Sequence, residues 1–302
     1  MNLKKKILVV GGTGFIGYHL AKKSLKKGWE VTSFSSNLPK RKRYLSRVKY
    51  IRCDITKKKF LKKKTNQHFD YVVNLGGYVD HSNKNRTYKS HYIGCKNLAE
   101  IFLKKDLISF VQIGSSLEYG NSKSPQNENM KSNLKSIKSV YGRAKLLSSR
   151  YLINLYYKKN FPSTILRLYQ VYGPKQDINR FLPITIKGCV KNKKFPCSHG
   201  NQLRDFTYVG DVADAIIKTL TNKNSKGHII NIGTGKPKKI RNVIEKIKTI
   251  SKGGYPQYGH FKQRKFEVPT LYPNIKKAKK KINWRAKVNF EKGLKKTINS
   301  YK

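Results

Sequence analysis

The sequence predicts an α/β fold: a doubly wound parallel sheet with a smaller, mixed C-terminal lobe. Three observations predict it. A short apolar run, Ile7-Leu8-Val9-Val10, breaks into glycines and reopens as a helix at Phe15, Ile16 and Gly17. Apolar, β-branched runs then alternate with helical stretches as far as residue 168. The 302 residues are enough for one large core and a second, smaller one.

Taken in order, the first run is a buried strand, and Gly11, Gly14 and Gly17 give the spacing G-x-x-G-x-x-G. The first glycine permits a tight turn, the second lets backbone approach a pyrophosphate, and the third lets helix and strand pack closely. The helix start that follows offers unpaired N–H groups and a positive dipole end to that pyrophosphate. Strand, glycine turn and helix together predict a dinucleotide site of Rossmann type. Further strands are expected at Glu30–Phe34, Val48–Ile51, Phe69–Leu75, Ile108–Ile113 and Thr164–Leu168, and helices over 86–105 and 139–158. Ligands of such a sheet bind beyond the carboxyl ends of its strands. After residue 168 the regularity drops, with Gly173-Pro174, Pro183, Pro196 and Gly200 as punctuation. Residues 1–168 are therefore read as the nucleotide-binding part and 169–302 as mainly a substrate-binding lobe. Residues 207–234 are expected to return to the first part.

The second strand bears on the cofactor. An NAD site usually carries an acid there, about 20 residues after the glycine loop, to accept from the ribose 2′-OH. Here the place is Ser35, followed by Ser36 and Asn37, with no acid from 31 to 53. Lys40, Arg41, Lys42 and Arg43 lie within loop reach of a 2′-phosphate. NADP(H) is accordingly expected to bind at least as well as NAD(H), which tilts the reading toward a reductase.

Tyr141 and Lys145 stand at i, i+4, on one face of the 139–158 helix. A cation beside a phenol favours the phenolate, bringing a tyrosine toward the working range of a general acid/base. Such a phenol can carry the proton of a sugar hydroxyl while hydride moves between its carbon and a nicotinamide.

With these residues the chain resembles the extended short-chain dehydrogenase/reductases of the NAD-dependent epimerase/dehydratase family, which act on nucleotide sugars. The resemblance runs nearly end to end. GGTGFIG at 11–17 matches the cofactor loop, including Phe15 and Ile16, and Asp54-Ile55 the adenine-contacting pair. Leu75-Gly76-Gly77 stands where the family has Leu-Ala-Ala beside the nicotinamide. Ser115-Ser116-Leu117-Glu118-Tyr119-Gly120 resembles its S-S-x-x-Y-G loop, Leu166–Pro174 its L-R-x-x-N-V-Y-G-P, and Asn231-Ile232-Gly233 its N-I-G. The resemblance implies that Ser115 hydrogen-bonds the reacting oxygen and that Tyr141 is the acid/base. It implies that Lys145 holds the nicotinamide ribose and lowers the tyrosine pKa. Arg204, in Arg204-Asp205-Phe206, and Arg264, in Arg264-Lys265-Phe266-Glu267, would hold the nucleotide diphosphate. A homodimer built through a helix bundle is implied in the same way.

Departures narrow the activity. Family dehydratases carry an acid one or two residues after the Ser/Thr position; here those places are Ser116 and Leu117, and Glu118 comes one too late. Dehydration is disfavoured, leaving reduction of a 4-keto sugar or, as the alternative, NAD-dependent 4-epimerisation. Gln170 replaces an Asn at the pyrophosphate, His91 a helix Asn, and Asn274 a frequent Asp.

The charge is extreme, 67 Lys+Arg against 15 Asp+Glu, or +52. It motivates a rival of another class, an idle dinucleotide fold that binds RNA or scaffolds a complex. The lysines are spread along the whole chain, which reads as a solvated coat rather than a specific nucleic-acid site. Four cysteines and seven histidines lack metal-ligand spacing, so no metal is expected, and reduced thiols fit a cytoplasmic protein. No segment approaches the apolar length of a membrane span.

Overall fold

The computed structural model describes residues 4–261 and 267–302. Along the chain run β1 (Lys6–Val10), α1 (Phe15–Lys26), β2 (Glu30–Ser35), β3 (Val48–Arg52), α2 (Lys58–Lys64) and β4 (Tyr71–Asn74). Next come α3 (Lys84–Tyr88), α4 (Gly94–Phe102), β5 (Ser109–Ser115), α5 (Val140–Lys159) and β6 (Ser163–Leu168). Then follow β7 (Gln170–Tyr172), α6 (Phe181–Val190), β8 (Lys194–Pro196), β9 (Leu203–Arg204), β10 (Phe206–Tyr208), α7 (Val209–Thr221) and β11 (Ile229–Ile232). The chain ends with β12 (Lys238–Lys239), α8 (Ile240–Ser251), β13 (Tyr255–Gln257), β14 (Thr270–Leu271), α9 (Lys276–Ile282) and α10 (Phe290–Asn299).

Seven strands form one sheet in the order β11-β6-β5-β4-β1-β2-β3, every neighbouring pair parallel. A parallel sheet is covered on both faces, which is why β1 is apolar at successive positions rather than alternate ones. Ile7 and Val9 join a core with α1, α7 and α9, and Leu8 and Val10 join one with α2, α4 and α5. The segment 207–234 supplies α7 and the edge strand β11. A third core gathers Tyr172, Leu182, Ile186, Phe206, Val243, Ile247 and Leu294 under α6, α8 and α10. Around it lie three small sheets, β7 with β10, β12-β9-β14, and β8 with β13.

The strand order reverses at β1, with β2 on one side and β4 on the other. A crevice opens beyond the strand ends at such a point, so the loops after β1 and β4 face one cavity. The helical segment expected over 86–105 is present as an unbroken helical stretch from Lys84 to Phe102. Between α3 and α4 it widens into a π turn, Lys89–Ile93, with His91 buried inside it. A π turn carries an extra residue per turn and re-aims the side chains around it.

Candidate active site

The cavity at the crossover has a volume of about 560 Å³. Gly11, Gly14, Ser35, Asn37, Asp54, Ile55, Leu75 and Gly77 line it, together with Tyr78, Arg86 and Lys89. Gly11 has φ +79°, the left-handed turn the spacing requires. A Cβ on Gly17 would lie 2.3 Å from the Gly11 carbonyl oxygen, so only glycine lets α1 pack against the loop. Gly14 is the N-cap of α1, with no side chain closing the helix end. Open helix N–H groups facing a cavity suit a pyrophosphate, and these residues fit a dinucleotide. Phe15 and Ile16 are the first residues of α1 and lie behind this surface rather than lining it.

Ser35 Oγ accepts a 3.4 Å hydrogen bond from the Thr13 N–H, which ties β2 to the glycine loop. Asp54 is exposed, its carboxylate accepting from the Thr56 N–H and hydroxyl at 2.9 and 2.8 Å. Asn74, fully buried, accepts from the Gly76 N–H at 3.0 Å and donates to Gln112 at 2.8 Å, fixing the Leu75-Gly76 turn.

The cationic loop expected to meet a 2′-phosphate is partly committed elsewhere. Arg43 is buried and donates to the Lys175 carbonyl at 2.6 and 3.1 Å and to Asp177 at 2.8 Å. Lys175 in turn donates to the Lys42 carbonyl. None of Lys40–Arg43 lines the cavity.

Ser115 ends β5 and caps a short turn, Ser116–Tyr119. Its Oγ accepts from the Leu117 N–H at 3.2 Å, and Glu118 accepts from its N–H at 2.8 Å. This capping box satisfies both turn donors reciprocally. Glu118 is wholly buried and also accepts from Arg167 at 2.9 Å and from Ser149 at 2.7 Å. The Arg167 guanidinium lies 4.3 Å above the Tyr119 ring, and Tyr119 donates to Asn231 at 2.8 Å. Glu118 thus braces the Ser115 turn, and its partners outside that turn, Arg167 and Ser149, are not visible in the local motif.

Tyr141 and Lys145 share one face of α5, as expected, with Lys145 Nζ 5.8 Å from the centre of the phenol ring. The pKa expectation is corrected. Burial pushes the Tyr141 phenol up to about 12, with the Ser115 hydroxyl and the Arg180 guanidinium pulling it back. Lys145 is buried, and the hydrogen bond of its ammonium at 2.6 Å goes to the Ile113 carbonyl rather than to the phenol oxygen. Burial brings Lys145 down to about 8, against the opposing charge of Glu118.

Two histidines flank the Tyr141 ring, and neither stands out in the sequence as a neighbour of it. His81 stacks on its face with centroids 4.2 Å apart, and His91 meets its edge at 4.8 Å and 80°. His81 takes φ +61°, a conformation uncommon for a side-chain-bearing residue, to make that stack. Arg180 donates to the Val79 carbonyl at 3.4 Å, linking this loop to the second lobe.

Of the expected substrate residues, Gln170 and Arg204 do not line the cavity. Gln170 is exposed at the start of β7, its N–H on the Asp205 carbonyl at 3.0 Å. Arg204 is buried and spends its fork on Glu267 at 2.7 Å and on the Leu203 and Pro269 carbonyls. A diphosphate would have to displace Glu267 to reach it. Arg264 lies outside the described residues. Among the described residues no cluster of three or more metal-ligating side chains occurs, and no helix is long and apolar enough to cross a membrane.

Comparison with known proteins accords with this geometry. The family model described as NAD dependent epimerase/dehydratase family matches residues 7–233. A putative UDP-glucose 4-epimerase of Methanocaldococcus jannaschii is 31% identical, over 97% of both chains. The crystal structure of a UDP-glucose 4-epimerase with UDP-glucose from Thermotoga maritima superposes with a TM-score of 0.91 at 26% identity, over 98% of both chains. A UDP-glucuronic acid 4-epimerase of Bacillus cereus, solved with UDP-glucuronic acid and NAD, gives 0.87 at 25% identity, again over 98% of both. A glycine loop opening a helix, a seven-stranded parallel sheet and a match over three quarters of the sequence lead to one conclusion: the chain belongs to the NAD-dependent epimerase/dehydratase family, enzymes of nucleotide sugars.

Proposed function

We propose that this protein is an NAD-dependent nucleotide-sugar 4-epimerase. The observation that carries the reading is the grouping of Ser115, Tyr141 and Lys145, joined through His91 to Gly77 of the cavity wall, with Glu118 consumed by Arg167. An acid held in a buried ion pair is not available to eliminate water. Of the relatives described above two are 4-epimerases and one a putative 4-epimerase, which favours epimerisation over the reductase expected from the second strand.

NAD, when bound, supplies the hydride acceptor and donor for the sugar C4. The Tyr141 phenolate takes the proton of the C4 hydroxyl and the phenol later returns it, while Ser115 hydrogen-bonds the same oxygen. A phenol at about 12 is too weakly acidic to ionise unaided at neutral pH. Lys145, swinging from the Ile113 carbonyl toward the phenol, is the cation that lowers it. Asp54 and Ile55 are assigned to the adenine, Leu75 to the nicotinamide, and Gln170, Arg204 and Arg264 to the diphosphate.

NAD is preferred to NADP because Arg43 is turned into its bonds with Lys175 and Asp177. The acid-free end of β2 at Ser35-Ser36-Asn37 favours a second reading, an NADPH-dependent 4-keto-sugar reductase. One assay separates them: UDP-glucose and UDP-glucuronate are each incubated with the protein and NAD, without reduced cofactor, and products are read by NMR. Formation of the C4 epimer supports the proposal. No epimer, with NADPH consumed when a 4-keto sugar nucleotide is added, selects the reductase.

A further inference from the structure

Two departures from the family pattern, Gly77 for alanine and His91 for asparagine, meet in space. A Cβ built on Gly77 would lie 1.9 Å from His91 Cε1 and 2.3 Å from Nδ1. Real side chains do not approach so closely, and the obstruction is a buried imidazole rather than the free end of a flexible chain. His91 has little room to retreat. Its Nε2–H donates to the Tyr78 carbonyl at 3.3 Å, and its own carbonyl accepts from Ser148 of α5 at 2.8 Å. With Nε2 the donor, Nδ1 is the bare nitrogen, buried and without a hydrogen-bond partner. Its ring is T-shaped to that of Tyr141, with centroids 4.8 Å apart, and also meets the His81 ring at 5.6 Å.

We infer that His91 is a positioning residue for Tyr141, and that Gly77 is glycine for two reasons: its φ of +156° disfavours a side chain, and the imidazole fills the space a methyl group would take. The inference deepens the epimerase reading: the π turn that carries His91 sets the phenol's angle toward Ser115. It is a wedge between the loop after β4 and the catalytic helix, so pressure at residue 77 reaches the phenol through the imidazole. A shift of about an ångström in a reacting group costs on the order of a hundredfold in rate.

The test is a double-mutant cycle on the full chain with Gly77→Ala, His91→Asn and the pair. Gly77→Ala alone should lower the melting temperature, and His91→Asn should recover part of that loss when the two are combined, the remainder being the strain of a side chain at φ +156°. With UDP-glucose and NAD, each single variant should lose between about tenfold and a hundredfold in kcat at nearly unchanged KM. The pair, which is the family's ordinary combination, should outperform both. A readout that needs no substrate is the NMR signal of His91 in protein labelled at histidine Cε1, assigned by its loss in His91→Asn. Tyr141→Leu should move it by removing the ring current, and Gly77→Ala should move it by displacing the imidazole.

Additive melting effects, or a His91 signal indifferent to both substitutions, overturn the inference whatever the enzyme turns over. If UDP-glucose is not a substrate of the wild type while the melting and spectral couplings appear, the wedge stands and the substrate assignment falls. Coupling in the melting curves with kcat unchanged in both single variants also overturns it, since the contact would then be packing alone.

Discussion

A phenol held near 12 is a poor base at neutral pH, so Tyr141 depends on what its neighbours do to it. Tyr141→Phe keeps the ring contacts with His81 and His91 and removes only the hydroxyl. It should lower kcat by about 10²–10⁴-fold, the span typical of a general acid/base, with NADH affinity by fluorescence unchanged. Lys145 gives a separate test through stability. Burial lowers it to about 8, against about 10.4 in an unfolded chain. Between those two values the unfolded state binds more protons, so this group makes the protein more stable as pH rises from 8 toward 10. Below 8 both states are protonated and the cost of burying the charge is constant. Urea midpoints at about pH 7 and about pH 10 should therefore rise by more in the wild type than in Lys145→Met. Equal increments would show that Lys145 carries no such cost. The i, i+4 spacing of Tyr141 and Lys145 was legible because helical periodicity is local. The direction in which the ammonium points was not, because the Ile113 carbonyl that takes it lies 32 residues away.

The turn after β5 shows the same division between local and distant information. Its capping box follows from Ser115 and Glu118 three residues apart, a spacing any reader of the sequence can find. The buried pair of Glu118 with Arg167 joins the turn to β6, 49 positions along, and nothing in S-S-x-x-Y-G announces it. Glu118→Gln leaves the Arg167 cation buried without its counter-charge, which should cost about 3–5 kcal/mol in urea unfolding. A cost below about 1 kcal/mol would mean that the pair is solvated in solution. Strands β1 to β6 of the large sheet were legible because each is a short run rich in apolar and β-branched residues. Strands of two or three residues, such as β9, β12 and β14, carry no periodicity to read. The widening at Lys89–Ile93 escaped because a π turn leaves the apolar pattern of α4 intact while inserting one residue.

Across the whole molecule, a net charge of +52 opposes its own compaction. Added salt shortens the range of that repulsion, with a Debye length of about 10 Å at 0.1 M and about 3 Å at 1 M. The melting temperature should rise with sodium chloride, and retention on RNA should vanish over the same range while sugar-nucleotide turnover persists. RNA binding that survived high salt would point to a specific nucleic-acid site and revive the scaffold reading. The sheet order and the cavity at the β1–β4 crossover are those of a dinucleotide fold, and the proposed epimerisation acts at one sugar carbon. What distinguishes epimerisation there is that the hydrogen leaves C4 and returns to the same carbon. The direct measurement uses UDP-glucose deuterated at C4, the protein and NAD alone, with the product isolated and its C4 position read by NMR. The C4 epimer with deuterium retained is the result expected of the proposed enzyme. Recovery of unchanged UDP-glucose, or an epimer carrying hydrogen at C4, would contradict it.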